Sequence, residues 1–308
     1  MRHVLSLAEV GPDGLSQMID DALAIAAGRA ATDHPLSGKT VGIYFRGTST
    51  RTRTAFSVGA MKLGAGVVAY GPKDLQLVTG ESIQDTACVL AGYLDFLVIR
   101  TNDSIEEMRT LAAQSEMSVI NAMSEYEHPT QAIADLATIK ESLGHLHGVH
   151  VLYVGEGNNS AVALALAVAM SEGMKLTLVT PEGYGLPHGL LETVATFARR
   201  SGATVEEHHD AASLPKGVDV VYTTRWQTMG VPKTDPDWQR KFVPYRVTQE
   251  MMSRVSKPSG TIFLHDLPAV RGSEVVDEVL DGPQSLAFRQ ARHKLTGAMA
   301  VLRWCAAV

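Results

Sequence analysis

Short apolar runs alternate with amphipathic stretches from one end of the chain to the other. Runs at 40–45, 66–70, 95–101 and 118–121 have the length and β-branched content of buried strands. After Gly144 the series restarts, with runs at 150–155, 175–180, 218–223 and 261–264. Between them lie stretches of helical period, at 82–93, 104–114 and 190–200, and a long last one at 285–307. This strand–helix alternation predicts an α/β fold of two domains, each a mostly parallel sheet flanked by helices. The polar stretch 142–148 has the composition of a boundary. The expected division is therefore 1–144 for the first domain and 145–285 for the second, with the C-terminal helix (about 286–308) packing back on the first.

Parallel sheets gather ligands at the carboxyl ends of their strands, and the polar clusters of this sequence fall at such ends. The first is FRGTSTRTRTAF, residues 45–56, where a strand runs into a helix start. Unpaired backbone N–H groups and the helix dipole favour an anion there. Ser49 and Thr50 add hydroxyls, and Arg51 offers a planar fork. Arg53 lies two residues on and faces away. The plainer account is a helix cap with solvated arginines. Glu127-His128-Pro129-Thr130-Gln131 precedes another helix, and Pro129 stiffens the turn. His128 there can polarise a carbonyl oxygen, or be incidental to a capping turn. GEGNNS, residues 155–160, invites a dinucleotide reading, but Ser160 stands at the third glycine and the next strand ends in Thr180-Pro181 without an acidic ribose partner. Asn159 facing a small polar ligand and a simple tight turn both fit. Leu267-Pro268, at another strand tip, is a candidate cis bond, or a chain reversal.

Composition narrows the class of partner. The 308 residues are 45% hydrophobic and 19% charged, with a net charge of -6, so a sizeable core is expected and general nucleic-acid or anionic-membrane binding is not. An anion site must be local. The two cysteines, Cys88 and Cys305, have no metal-ligand or disulfide spacing, which suits a reducing compartment. The start MRHVLSLAEV lacks a signal-peptide core, and AVALALAVAM (161–170) is too short to span a bilayer. A cytoplasmic location is expected.

In order and spacing, STRTR (49–53), GESIQDTACVL (80–90), HPTQAIADL (128–136), GEGNNS, the TMG of 228–230, HDLPAVRGSEV (265–275) and EVLDGPQS (278–285) resemble the aspartate/ornithine carbamoyltransferase family. The resemblance covers essentially the whole chain and lies nearer the ornithine-type branch. It implies a site for carbamoyl phosphate: Ser49, Thr50, Arg51 and Thr52 on the phosphate, Arg100 on phosphate and carbamoyl oxygen, His128 and Thr52 on the carbonyl. Gln131 would hold the carbamoyl nitrogen, which would also donate to the carbonyls of Leu267 and Pro268. Lys294 stands where the ornithine-type pattern has an arginine on the donor side, and a lysine cannot reproduce the bidentate fork. Gln76 matches a residue lent by a neighbouring subunit, which implies a homotrimer with shared sites. No metal or organic cofactor is implied.

The acceptor side departs from both branches. Thr224 stands where ornithine-type members carry Asp, Thr228-Met229-Gly230 where they carry Ser-Met-Gly, and Asp266 where they carry Cys. Thr224-Arg225-Trp226-Gln227 is similar to the Thr-Arg-Val-Gln of aspartate-type members, where Arg and Gln hold a carboxylate, yet that branch's loop lysine is Thr79 here. Asn159, Thr224, Arg225, Gln227, Thr228, Met229 and Asp266 are the candidate acceptor residues. Arg225 would meet an acidic group of the acceptor and Asp266 would steer its amine; alternatively the two pair with each other. Three readings follow: a carbamoyltransferase for an amino-acid-like amine other than plain ornithine, in specialised metabolism; ornithine carbamoyltransferase, forming citrulline; or a non-catalytic anion-binding or scaffold paralogue.

Overall fold

The computed structural model describes residues 1–29, 34–228, 231–258 and 260–307. Two compact units emerge. The first comprises Met1–Ala137 and Arg292–Val308, the second Thr138–Ala291. Both divisions fall inside helices.

The first unit is built on α1 (Leu7–Ala26), β1 (Thr40–Phe45), α2 (Arg51–Lys62), β2 (Gly66–Tyr70), α3 (Ile83–Ala91), β3 (Phe96–Arg100), α4 (Glu106–Ala112), β4 (Ser118–Met123) and the start of α5 (Pro129–Leu143). Its four strands are parallel in the order β2-β1-β3-β4. β1, β3 and β4 are apolar and buried almost throughout, as strands covered on both faces must be. β2 is the edge and largely exposed. α1 breaks at Gly11, which takes φ 75 just before Pro12; glycine tolerates that angle, and proline cannot continue the hydrogen-bond ladder. The N-terminal segment is stitched beside β4: Val4 N donates to Val119 O at 3.0 Å, and Asn121 N to Val4 O at 2.7 Å.

The second unit carries the end of α5, then β5 (His150–Val154), α6 (Asn159–Met170), β6 (Lys175–Val179), α7 (Leu190–Ser201), β7 (Thr204–His208), β8 (Val220–Thr223), α8 (Trp238–Phe242), α9 (Gln249–Val255), β9 (Ile262–His265), α10 (Asp277–Leu280) and the start of α11 (Ala287–Ala306). Its five strands are also parallel, in the order β7-β6-β5-β8-β9. Every residue of α6 is buried, which explains why AVALALAVAM is apolar all round without being a membrane segment. Among the described residues no helix is long and apolar enough to cross a membrane. The remainder of α11 belongs to the first unit, as expected for the C-terminal helix.

The strand runs expected from the sequence are all present. β7 was not among them: TVEEH is an edge strand with exposed and half-buried positions, so it lacks the apolar run that marked the others. One glycine is fixed by close approach. A Cβ on Gly157 would lie 2.3 Å from the carbonyl carbon of Gly185, so no other residue lets this loop lie against the 181–186 turn, where Gly157 N donates to Tyr184 O at 2.8 Å.

Candidate active site

In the first unit the donor-side candidates cluster at the carboxyl ends of β1, β3 and β4. α2 begins at Arg51, and its N-cap Thr50 makes no side-chain capping bond. Ser49 Oγ takes part of that role, accepting from Arg53 N at 3.3 Å and from Arg100 Nη1 at 3.4 Å. Arg100 ends β3 and is only 6% exposed, so a charged guanidinium sits beside the start of a helix. Both features favour an anion. Thr52 is buried, Arg51 half-buried and Arg53 exposed, the alternation expected at the start of a helix.

The turn after β4 holds His128. Ser124 N donates to Glu127 O at 2.9 Å, and Glu127 N donates to Ser124 Oγ at 3.2 Å, closing the turn on itself. His128 is buried, with Nδ1 3.4 Å from Thr130 Oγ1. Burial, and then the charges of Lys294 and Arg100, hold the imidazole pKa well below its usual value. The ring is therefore neutral near pH 7, suited to donating a hydrogen bond rather than a full proton. On α5, Gln131 Oε1 accepts from Lys294 Nζ, which comes from α11. Ser49, Thr50, Arg51, Thr52, Arg100, His128, Gln131 and Lys294 thus belong to one compact unit. Gln76 lies in a short 3-10 turn, exposed, its Oε1 accepting from Thr79 Oγ1 at 2.6 Å.

Glu127 was not expected to matter. Its carboxylate is fully buried, and Oε1 accepts from Leu7 N at 2.9 Å, tying the first turn of α1 to the histidine turn. Burial, opposed by the bonds from Ser6 and Leu7, pushes its pKa up to about 7. The folded protein then holds this proton between about pH 4.5 and 7 while the unfolded chain releases it, so stability falls as pH rises through that window. Relative to a Glu127→Gln variant, the wild type is expected to lose on the order of 3 kcal/mol between pH 5 and pH 8. Urea denaturation of both proteins across that range measures it; parallel curves would refute it.

In the second unit the acceptor-side candidates gather at the ends of β5, β8 and β9. Asp266 follows β9 and Thr224 follows β8, whose register pairs Thr223 with His265. Thr224 Oγ1 lies 3.0 and 3.1 Å from the two Asp266 oxygens, and Ser160 Oγ donates to Oδ2 at 2.8 Å. Asn158, the N-cap of α6, accepts from Ser160 N and Ala161 N, and its Nδ2 lies 3.4 Å from Thr224 Oγ1. Leu267 N donates to His265 Nδ1 at 2.8 Å, and His265 Nε2 faces Glu274 Oε1 at 3.2 Å. His265 is therefore the neutral Nε2–H tautomer, so its 3.5 Å approach to Asp266 is no ion pair. Among the described residues no ion pair joins Arg225 to Asp266, and Arg225 is half-buried. Asn159 is buried and Gln227 half-buried. Thr228 points to the loop after β5, donating to Glu156 Oε2 at 3.3 Å. Met229, with Gly230, lies outside the described residues. Leu267-Pro268 is cis, as its place at a strand tip suggested.

Sequence reasoning passed over Ser160, Asn158 and Lys233. The first two sat inside GEGNNS in view but read as turn residues. Lys233 is nearly buried, bonded to Glu156 and set 4.9 to 5.5 Å from the ring centroids of Tyr184, Trp238 and Phe242. Nothing in its local sequence foretold this, because its partners come from three segments, the loop after β5, the 181–186 turn and α8.

Similarity to known proteins decides the family. The sequence model of the aspartate/ornithine carbamoyltransferase carbamoyl-P binding domain matches residues 2–141, and that of the Asp/Orn binding domain matches 147–305. The chain belongs to the aspartate/ornithine carbamoyltransferase family. It is a carbamoyltransferase, a transferase of one-carbon groups, which removes the scaffold reading as the account of its class. Among its relatives, the ornithine carbamoyltransferase of Oceanobacillus iheyensis is 38% identical over 303 residues, covering 98% of this chain and 93% of that one. That of Methanothermobacter thermautotrophicus is 38% identical over 99% of this chain and 98% of its own. Among solved structures, the ornithine carbamoyltransferase from Pyrococcus furiosus superposes with a TM-score of 0.90 at 35% identity, covering 98% of this chain and 96% of that one.

Proposed function

We propose that this carbamoyltransferase moves the carbamoyl group of carbamoyl phosphate to the side-chain amine of an ornithine-type amino acid. The observation that carries the acceptor is the near full-length similarity to proteins named ornithine carbamoyltransferase. They back ornithine better than the unusual acceptor expected from the sequence departures, and nothing in them points to another amine. The donor rests on the convergence of Arg100, His128, Gln131, Lys294 and the start of α2 in one unit.

The chemistry follows from those groups. The neutral amine attacks the carbamoyl carbon, a C–N bond forms, and the C–O bond to phosphate breaks with its electron pair going to phosphate. Charge that builds on the carbamoyl oxygen meets Arg100, Thr52 and the neutral imidazole of His128. The phosphate, held by the helix start and Arg51, is stabilised as it leaves and can take the proton that the amine loses. On this reading Gln76, exposed in its own unit, serves a neighbouring copy in a homotrimer.

Asp266 is suited to an amine. It is a mostly buried carboxylate held by hydroxyls rather than by a cation. Replacing Asp266 with Asn is expected to raise the acceptor KM by roughly tenfold or more, the worth of one charge-assisted bond, with the carbamoyl phosphate KM unchanged. Steady-state kinetics that follow phosphate and ureido product together across a panel of amines test this; an unaltered acceptor KM would remove Asp266 from the site. A second reading, an acceptor that also carries an acidic group, is favoured by Arg225, which has no ion pair among the described residues. It predicts that the panel's best acceptor is not ornithine and that Arg225→Ala abolishes the preference.

A further inference from the structure

Gln131 is gripped at both ends by groups that can each act in one sense only. Its Nε2 donates to Asp135 Oδ1 at 2.7 Å, and its Oε1 accepts from Lys294 Nζ. Gln131, Asp135 and Lys294 are 1%, 0% and 9% exposed. The spacing of four residues places Gln131 and Asp135 on one face of α5. The two ends of a primary amide are nearly identical in shape, so only its partners fix which way it points. A carboxylate accepts and an ammonium donates. Together they leave one orientation, with nitrogen toward Asp135 and oxygen toward Lys294. Lys294 also helps to lower the pKa of His128, so the amide and the histidine share the influence of one buried cation. That oxygen has two lone pairs, and Lys294 occupies one.

We propose that Asp135 is a positioning residue that, through Gln131, makes the donor site select an acyl phosphate bearing NH2 over one bearing CH3 at the same place. This rests on the reading that the first unit takes carbamoyl phosphate. The remaining lone pair of Gln131 Oε1 accepts from the donor's NH2. A methyl group would leave that buried acceptor unsatisfied, and sites built around a hydrogen bond reject analogues that cannot make it. An amide free to turn over would present NH2 to either group and lose the distinction. Lys294 restrains the oxygen end, and the buried acidic side chain at 135 adds the restraint on the nitrogen end that completes the lock.

The non-hydrolysable pair phosphonoacetamide and acetonylphosphonate differ in this one group. Binding of both, and of inorganic phosphate, is measured by calorimetry to the full-length wild type and to Asp135→Ala and Asp135→Asn. The wild type is expected to prefer the amide by roughly tenfold or more, one hydrogen bond's worth. Asp135→Ala loses most of that preference while phosphate binds unchanged. Asp135→Asn, whose Oδ1 can still accept from Gln131, restores it. Asp135→Leu, which keeps the branching and the number of side-chain heavy atoms without any acceptor, takes the place of the alanine variant if that one does not fold. The proposal is overturned if the preference survives in the alanine or leucine variant, or if phosphate binding falls in step with amide binding, which marks a merely structural role. A wild type that binds phosphate but prefers neither phosphonate overturns it as well. A wild type that binds none of the three ligands removes the donor reading itself, a separate outcome.

Discussion

Replacing Arg100 with Met is expected to lower kcat/KM for carbamoyl phosphate by about three orders of magnitude, since two charge-assisted hydrogen bonds are worth about 4 kcal/mol. Arg100 is the last residue of β3, so the strand itself fixes where its side chain starts, and its near-complete burial limits the screening that would weaken an exposed charge. Methionine keeps much of the volume and the apolar stem, so the sheet should stay intact while the charge is lost. A second readout separates lost charge from a disturbed fold. Arg100 is one of the two cations that hold His128 deprotonated. Without it the imidazole pKa should rise toward its usual value, visible by NMR of the histidine ring. A variant with normal kcat/KM and an unmoved His128 would refute both the proposed contact and the electrostatic coupling.

The second large effect concerns His128 itself. His128→Ala is expected to reduce kcat by roughly 10²–10³, the cost of one donor to a developing oxyanion, with much less change in the affinity for inorganic phosphate. The pH dependence carries the sharper test. Burial, Lys294 and Arg100 depress the imidazole pKa, so the neutral donor persists well below the ordinary histidine range. The wild type should then show no loss of kcat on the acid side near pH 6.5 from this group. A kcat profile that falls with a midpoint near 6.5, and flattens in His128→Ala, would overturn the neutral-donor account. The same shift has a stability consequence of definite sign. Below the unfolded histidine's pKa the unfolded chain binds the proton more readily, so this residue contributes a loss of stability as the pH falls from about 6.5.

The fold was legible where burial wrote it into the sequence. β1, β3, β4 and β5 are continuous apolar runs because both faces are covered, and they were visible for that reason. β7 was not, because its faces are only half-buried. The residues proposed for the donor side were visible as local motifs: Ser49–Thr52 and His128–Gln131 are each contiguous, and a turn or helix start forces neighbours together. Asp135 stood in the same HPTQAIADL stretch yet went unremarked, because the role proposed for it runs through the orientation of another side chain. Glu127 likewise acts through Leu7, 120 residues away in sequence. On the acceptor side, Asp266 was picked out as unusual, but the hydroxyls that hold it, from Ser160 and Thr224, reach it only through the order in which β5, β8 and β9 lie in the sheet. No local pattern encodes that order.

The division of labour between the two compact units bears on how such a protein changes over generations. Apart from Leu267 and Pro268, the residues proposed to grip the donor fall in one unit, while Thr224, Arg225 and Asp266 fall in the other. On this assignment a lineage can drift at the proposed acceptor residues, exchanging a threonine for an acid or an acid for a cysteine, without disturbing the groups proposed to act on carbamoyl phosphate. Substrate innovation in this architecture is insulated from its chemistry, and a gene copy freed from its first substrate would keep a working carbamoylation engine while it tried new amines.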